Sequence, residues 1–240
     1  MTQFSTSQPQ RSQGRFAMPG LRYVLSALCL VMMACAAYAG ASDTPSSLPS
    51  ASTTPPALPH SVLPQADYAE VGSVTITPAG WVDFCERYRG ECDGGPLEPR
   101  DVHLTLKTWR EIVSLNHLVN HSITPQTDLE HWGVIDQWDL PYDGKGDCED
   151  YVLLKRKMLM ERGFPRQALL VTVVRDEHDE GHAILTVKTD RGEFVLDNMI
   201  DDVRAWNDTP YVFVKRQSQS DEHVWERIGP ALDAPAIVSR

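Results

Sequence analysis

The feature that most constrains this chain is the segment Gly146-Asp147-Cys148-Glu149-Asp150-Tyr151, which leads directly into an apolar-periodic run over residues 152–163. This pattern predicts a helix that begins at Asp147, because aspartate caps helix N-termini, acids favour the first turn and glycine commonly follows a helix end. Cys148 then lies in the first turn, where unpaired backbone N–H groups favour the thiolate over the thiol. The fold must therefore carry a cysteine at a helix N-terminus.

Acidic residues crowd the same segment. Residues 136–150 contain six acids against one base, Lys145. Carboxylates next to Cys148 oppose thiolate formation, because a nearby negative charge raises a thiol pKa. A hard cation would offset that effect, and calcium prefers oxygen-rich sites of this kind. Additional candidate ligands are Asp136, Asp139 and Asp143. The competing interpretation is a solvated acidic loop before a helix with a buried structural cysteine.

The first 39 residues have the pattern of a secretory signal. Basic residues at 11, 15 and 22 precede an apolar run over residues 23–37, and Ala37-Tyr38-Ala39 forms a small-x-small cleavage site. The run is too short for an ordinary transmembrane span, so we expect export and cleavage after Ala39. Two alternatives stay open: translation from Met18, and a lipid anchor on Cys35.

Composition divides the rest of the chain into three parts. Residues 40–65 are rich in Pro, Ser and Thr and predict a flexible tether. Residues 66–230 are long enough for one compact domain, and residues 231–240 form a C-terminal tail. Removal of residues 1–39 takes away three basic and no acidic residues, which leaves 19 basic against 33 acidic. This strongly acidic balance excludes nucleic acid and anionic lipid surfaces as expected partners.

The hydrophobic periodicity predicts an α+β domain with a helix layer against an antiparallel sheet. Residues 77–90 and 104–120 are typical of helices, the second with an apolar stripe formed by Leu106, Trp109, Val113 and their neighbours. We expect Trp132 and Trp138 to pack beneath the loop that leads to Cys148. The period-two segments predict strands over residues 168–174, 181–188, 193–197, 211–215 and 224–228.

Two further cysteines, Cys85 and Cys92, are seven positions apart. In an oxidising compartment this pair, with Cys148 left over, favours a disulfide that pins a loop. The alternative is a zinc site completed by His117 and His121, which are spaced i and i+4 on a predicted helix. The Cys-x6-Cys spacing is wider than in ordinary zinc knuckles, so those histidines are better interpreted as a half-exposed helix face.

A second set of residues supplies a base and an orienting acid for Cys148. His182 lies near the start of the first hairpin strand and Asp197 at the end of the returning strand. In an antiparallel hairpin the numbers of two directly paired residues add up to a constant sum, which defines the register. His182 and Asp197 are directly opposite if this sum is 379 and diagonal neighbours if it is 381. A sum of 380 separates them. A helix-borne thiol, a strand-borne imidazole and a neighbouring carboxylate make up a cysteine nucleophile, with the Cys148 N–H as one oxyanion donor.

From about Trp81 to Trp225 the sequence resembles the bacterial transglutaminase-like cysteine proteinases, especially their periplasmic, adhesin-releasing LapG type. The resemblance is carried by Phe84-Cys85 with Cys92, Asn116 and Asn120, Asp136-Gln137-Trp138, residues 146–151 with Lys155-Arg156, Gly181-His182-Ala183, Leu196-Asp197-Asn198 and Lys215-Arg216-Gln217. It implies a papain-like/transglutaminase-like core.

The resemblance also implies particular roles and partners. Cys148, His182 and Asp197 match the catalytic triad of the family, and Asp147 and Glu149 match its calcium-binding pair. The implied function is calcium-dependent hydrolysis of a large surface adhesin in the periplasm, within a di-alanine sequence of its N-terminal retention region. That cleavage controls biofilm attachment and release. The implied regulator is an inner-membrane cyclic di-GMP receptor that sequesters the protease.

Two other functions agree with the same residues. A transglutaminase would pass the acyl group to an amine instead of water. A non-catalytic, calcium-dependent module would bind an adhesin or another envelope protein without cutting it. Cross-linking of a labelled amine reveals the first, and a phenotype that survives Cys148→Ser but not Asp147→Ala reveals the second.

Overall fold

The computed structural model describes residues 62–229. The predicted signal peptide, most of the predicted tether and the predicted C-terminal tail lie outside these residues. Within them, no helix combines the length and the apolar character that a bilayer crossing requires.

The described part of the chain contains five α-helices, nine strands and two 3-10 turns, Arg166–Ala168 and Trp206–Asp208. The helices are α1 (Ala79–Arg87), α2 (Arg89–Cys92), α3 (Leu106–Asn120), α4 (Asp128–His131) and α5 (Cys148–Glu161). The strands are β1 (Val71–Thr75), β2 (Thr124–Pro125), β3 (Lys145–Gly146), β4 (Leu169–Arg175), β5 (Gly181–Thr189), β6 (Gly192–Leu196), β7 (Arg204–Ala205), β8 (Val212–Gln217) and β9 (Trp225–Ile228).

Seven of the strands form one antiparallel sheet in the order β1-β9-β8-β4-β5-β6-β7. The remaining two, β2 and β3, form a small parallel pair. The helix α5 packs against β4 and β5, and α3 packs against α5. The predicted α+β class and its helix layer over an antiparallel sheet are confirmed.

The central helix forms as its sequence predicts. Asp147 occupies the N-cap of α5, and Gly163 follows the last turn with a positive φ of 88°. Such a φ favours glycine, since it lacks the Cβ that other residues must accommodate there. The buried side of α5 includes Tyr151, Val152 and Leu159.

The predicted apolar stripe of α3 was wrong in part. The fully buried apolar residues of the helix are Ile112, Leu115 and Val119, whereas Leu106 is exposed at the first turn. These three residues are spaced i, i+3 and i+7 and therefore lie on one face of the helix. That face packs against the core.

The two tryptophans before Cys148 behave differently. Trp138 is fully buried, as predicted, and makes an edge contact with Trp81. Trp132 is 46% exposed, so its predicted packing beneath the loop was wrong. Its ring instead stacks on His131, the last residue of α4, with 3.9 Å between ring centroids.

A disulfide joins Cys85 of α1 to Cys92 of α2, as the spacing predicted. Both sulfurs are consumed by that bond, so the zinc site that pairs these cysteines with His117 and His121 does not form. Among the described residues Cys148 is the free cysteine.

Candidate active site

Cys148 is the first residue of α5 and is fully buried. The helix start is fixed by Asp150, whose carboxylate accepts hydrogen bonds from Asp147 N–H at 3.4 Å and from Asp139 N–H at 2.7 Å. The Cys148 thiol donates to Glu149 Oε2 at 3.1 Å. On its other side the sulfur accepts from the backbone N–H of Ala183, the residue that follows His182 on β5. The packing of α5 on β5 therefore brings the thiol to the strand that carries the imidazole.

The protonation of Cys148 is set by burial and by its acidic neighbours. Burial raises the pKa of the Cys148 thiol, and the charges of Glu149 and Asp147 raise it further. The hydrogen bond from Ala183 N–H lowers the pKa but does not offset them. Without a compensating positive charge the sulfur is therefore held as a thiol, which is a poor nucleophile.

His182 and Asp197 form a direct pair. Their side chains are joined by a hydrogen bond of 2.9 Å between His182 Nε2 and Asp197 Oδ1. The hairpin pairs Leu185 with Leu196 and Thr186 with Val195, so its register is the one that sums to 381. The two residues are thus diagonal neighbours, one of the two arrangements that the sequence allowed. Within the described residues His182 Nδ1 has no hydrogen-bond partner.

Asp197 is held by more than the imidazole. It accepts a hydrogen bond from the hydroxyl of Tyr211 and one from Met199 N–H at 3.0 Å. Burial raises the pKa of Asp197, but the hydrogen bond and charge of His182 and the bonds from Tyr211 and Met199 outweigh it, so the pKa is lowered. Asp197 therefore stays ionised beside the imidazole. The Tyr211 ring also lies 5.4 Å from the His182 ring.

Three buried carboxylates meet next to Cys148. Oxygens of Asp128, Asp147 and Glu149 all lie within 4.8 Å of one another. Burial and the charge of Asp147 raise the pKa of Asp128 to about 6, and burial with the charges of Asp147 and Asp150 raises the pKa of Glu149. Buried like charges are unfavourable unless a cation compensates them. Within the described residues Glu149 Oε1 also lacks a hydrogen-bond partner. A hard, oxygen-seeking cation such as calcium fits this donor set.

Asp128 was not predicted from the sequence, because it lies outside the acidic segment. It reaches the cluster through the β2–β3 pair, in which Thr124 N–H donates to Gly144 O at 2.8 Å and Gln126 N–H to Gly146 O at 3.0 Å. Asp128 N–H then donates to Asp147 Oδ2 at 3.2 Å. Nothing local at Asp128 indicates this partner, since the contact depends on the pairing of two distant two-residue strands.

The other acids considered as ligands have different partners. Asp136 accepts from Trp138 Nε1 at 2.9 Å. Asp139 accepts from Arg87 at 3.2 Å and from the Tyr88 hydroxyl, and Asp143 pairs with His131 at 2.8 Å. These bonds hold the loop before α5 in place, and none of the three belongs to the buried cluster.

The segment after Asp197 is hydrogen-bonded to α3, and its acids act electrostatically on a buried lysine. Asn120 Nδ2 donates to Asp197 O at 2.9 Å, and Asn116 Nδ2 to Asp201 O at 2.9 Å. Burial lowers the pKa of Lys155 to about 7, opposed by the charges of Asp197 and Asp201. The two asparagines were part of the family resemblance, as was Lys155, but the hydrogen bonds by which the asparagines hold this segment are evident only in the fold.

A thiol at a helix N-terminus, packed against a strand whose imidazole pairs with a carboxylate, is the architecture of papain-like and transglutaminase-like proteins. The family model described as bacterial transglutaminase-like cysteine proteinase BTLCP matches residues 71–232. The chain belongs to that family of cysteine proteinases. No curated protein matches the chain.

Solved structures of LapG from Legionella pneumophila are similar to part of the chain. The calcium-bound form is 20% identical with a TM-score of 0.44, over 53% of this chain and 74% of that one. Another LapG structure is 22% identical with a TM-score of 0.42, over 49% and 68%. The EGTA-treated form is 21% identical with a TM-score of 0.42, over 50% and 70%. At these values the likeness does not bear on individual site residues.

Proposed function

We propose that this chain is an exported, periplasmic, calcium-dependent cysteine endopeptidase that releases a large surface adhesin by cutting its N-terminal retention region. The observation that carries the proposal is the packing of α5, which begins with Cys148, on β5, whose His182 side chain is hydrogen-bonded to Asp197. Family membership supports peptide-bond hydrolysis by a thiol. Export rests on the signal-like pattern of residues 1–39 and agrees with the Cys85–Cys92 disulfide.

In this reaction His182 takes the proton of Cys148 and the sulfur attacks the scissile carbonyl carbon. His182 then gives the proton to the leaving amine, which departs and leaves a thioester on Cys148. Water then attacks the thioester carbon while His182 takes a proton from it, and His182 returns this proton to the sulfur as the C–S bond breaks. The acid product departs and the free thiol is restored. Asp197 orients the imidazole and stabilises its positive charge.

Asp128, Asp147 and Glu149 would hold calcium next to this nucleophile. When bound, the ion supplies positive charge beside the Cys148 sulfur and so favours its ionisation. The residues themselves explain why the ion is needed, since Glu149 and Asp147 raise the pKa of the thiol when their charges are not compensated. Glu149 also accepts the thiol proton in a hydrogen bond, so its engagement with an ion frees that proton for His182.

Access to the site requires movement, because Cys148 and His182 are both fully buried. A substrate that reaches the sulfur must displace neighbouring residues, and small side chains require the least displacement. This constraint agrees with the di-alanine cleavage site that the sequence resemblance implies. The same resemblance supplies the proposed regulator, an inner-membrane cyclic di-GMP receptor that sequesters the enzyme.

The proposal is tested with the chain from residue 40 onward and the N-terminal region of a large, repeat-rich surface protein from the same organism. We expect a single cut between two alanines in calcium, no cut in EGTA, and recovery when calcium is restored. Replacement of the two alanines by arginines should prevent the cut. Products are located by mass spectrometry, and a labelled amine in the same reaction shows whether acyl transfer replaces hydrolysis.

A matched pair of variants tests the calcium ligands. Glu149→Gln should raise the calcium concentration required for cleavage, whereas Asp143→Asn should not, because Asp143 pairs with His131 at the surface. Cleavage that persists unchanged in EGTA would remove calcium from the proposal. Amine incorporation in preference to hydrolysis would instead favour a transglutaminase.

A further inference from the structure

A second group of metal-binding side chains lies on the surface, away from the carboxylate cluster. His117, His121 and Asp201 each offer one ligand atom, and these atoms lie within 4.8 Å of one another. The two histidines are one turn apart on α3 and at its C-terminal cap, with 4.2 Å between ring centroids. His121 Nε2 lies 2.9 Å from Asp201 Oδ2. We propose that this group is a binding site for one divalent transition-metal ion, with Zn²⁺ as the expected occupant.

The donor set selects the class of ion. Two imidazole nitrogens and one carboxylate oxygen suit zinc, copper and nickel, whereas calcium takes oxygen ligands. Zinc sites with three protein ligands keep a further position for water, and His121 and Asp201 are 58% and 48% exposed, which leaves room for it. The site therefore differs from the buried carboxylate cluster in both chemistry and access.

Neighbouring residues already orient the carboxylate ligand. Asn120 Nδ2 donates to Asp201 Oδ1 at 2.9 Å, so the other oxygen, Oδ2, is the one turned to His121. Asn116 Nδ2 holds the Asp201 backbone through its carbonyl at 2.9 Å. Hydrogen-bond partners of this kind orient metal ligands and strengthen binding. The hydrogen bonds from Asn120 and His121 also lower the pKa of Asp201, which keeps the carboxylate ionised.

An ion at this site would link α3 to the segment that follows Asp197. His117 lies on α3 and His121 at its C-terminal cap, whereas Asp201 belongs to the segment that begins at Asp197 and leads to β7. An ion bound by all three bridges the helix and the segment. It would therefore restrict the segment that carries the partner of His182, in addition to the bonds from Asn116 and Asn120. From the sequence these histidines were interpreted as a half-exposed helix face, and the alternative zinc site paired them with Cys85 and Cys92. In the fold their third neighbour is Asp201.

The test uses the exported chain with its purification tag removed, saturated with calcium and carrying Cys148→Ala, so that neither the carboxylate cluster nor the thiol competes for zinc. Calorimetric titration should show one equivalent of Zn²⁺ bound. His117→Gln, His121→Gln and Asp201→Asn should each weaken binding by at least about tenfold, the loss typical even for a partner of a metal ligand. His103→Gln is the matched control, because His103 pairs with one carboxylate, Asp190, in the same way but belongs to no three-ligand group within residues 62–229.

Two further measurements test the coordination of the ion and its effect on the segment that carries Asp201. Co²⁺ in place of zinc should give visible absorption bands that disappear in the His117→Gln variant. Hydrogen exchange of residues 198–203 should slow when zinc is added to the parent protein and not when it is added to Asp201→Asn. The proposal is overturned if the parent binds no equivalent of zinc, or if the three ligand variants bind it as tightly as His103→Gln does.

Discussion

Tyr211 and the Met199 N–H both donate hydrogen bonds to Asp197, which in turn accepts from His182. At the scale of single residues this network fixes one orientation of the imidazole and keeps Asp197 charged. His182 and Asp197 were predicted from a hairpin pattern that lies within 16 consecutive residues, 182–197. The contact of Tyr211 with Asp197 was not predicted. It depends on where the sheet places β8 and the residues before it, and no local sequence pattern specifies that position.

Replacement of Asp197 by Asn should lower kcat/KM for peptide cleavage by about 10²–10⁴-fold, since the imidazole loses both its orientation and its compensating charge. Tyr211→Phe is the matched control. It removes one of three hydrogen bonds to the Asp197 carboxylate and keeps the ring beside His182, so a loss of about tenfold is expected. Steady-state kinetics in saturating calcium measures both. Equal losses in the two variants would show that Asp197 does not act through His182.

At the scale of elements, the helix α5 and the β5–β6 hairpin were predictable because each is specified by its own sequence. Capping residues mark the start of α5, and period-two apolar residues mark the hairpin strands. The strands β2, β3 and β7 are two residues long and were missed, because such short pairs carry no periodicity and form only when tertiary packing brings them together. The pairing of β2 with β3, which was not predicted, places Asp128 in the carboxylate cluster.

A buried ion pair anchors α5 to the turn between β8 and β9. Arg156 Nη2 and Glu222 Oε2 are 2.5 Å apart, with both side chains 3% exposed, and Arg166 also pairs with Glu222. Glu222→Gln leaves the buried Arg156 without its counter-charge and should lower the free energy of unfolding by about 3–5 kcal/mol. Denaturant unfolding followed by circular dichroism measures the loss.

The matched control for this element is Glu161→Gln, near the exposed end of α5. Glu161 pairs with Lys157 at 3.5 Å and its side chain is 62% exposed, so the expected change is below about 1 kcal/mol. A similar midpoint for the two variants would contradict the assigned role of the buried pair.

At the scale of the whole molecule, the α+β architecture followed from the order of helix-like and strand-like patterns. The position of the carboxylate cluster did not, because it joins α4 to the start of α5 through contacts that no local pattern encodes. The sequence did indicate that the acids near Cys148 require a cation. The fold adds burial to that charge argument, since Asp128, Asp147 and Glu149 are almost completely shielded from solvent.

Calcium should stabilise the whole domain, and more strongly as the pH rises. Burial and nearby carboxylates raise the pKa of Asp128 from 3.8 to about 6, and burial is also the main cause that raises the pKa of Asp150 from 3.8 to about 9. In the ion-free protein the folded state therefore binds more protons than the unfolded state. The associated stability is present below pH of about 4 and is lost as the pH rises through those folded-state values.

Thermal melting in calcium and in EGTA, at pH 5 and at pH 8, measures this linkage. The increase in Tm on addition of calcium should be larger at pH 8, because the carboxylates are then charged and the ion compensates them. Glu149→Gln should reduce the increase, and Asp143→Asn should leave it unchanged. A calcium effect that is equal at the two pH values, or larger at pH 5, would contradict the assignment of the cluster.

The most direct measurement compares the parent chain with Cys148→Ala on the same adhesin N-terminal region, both in saturating calcium and both shown by circular dichroism to be folded. The parent should convert the substrate to two fragments, and the variant should give no product over the same period. Fragments formed by the variant at the parent rate would show that the sulfur of Cys148 is not the nucleophile.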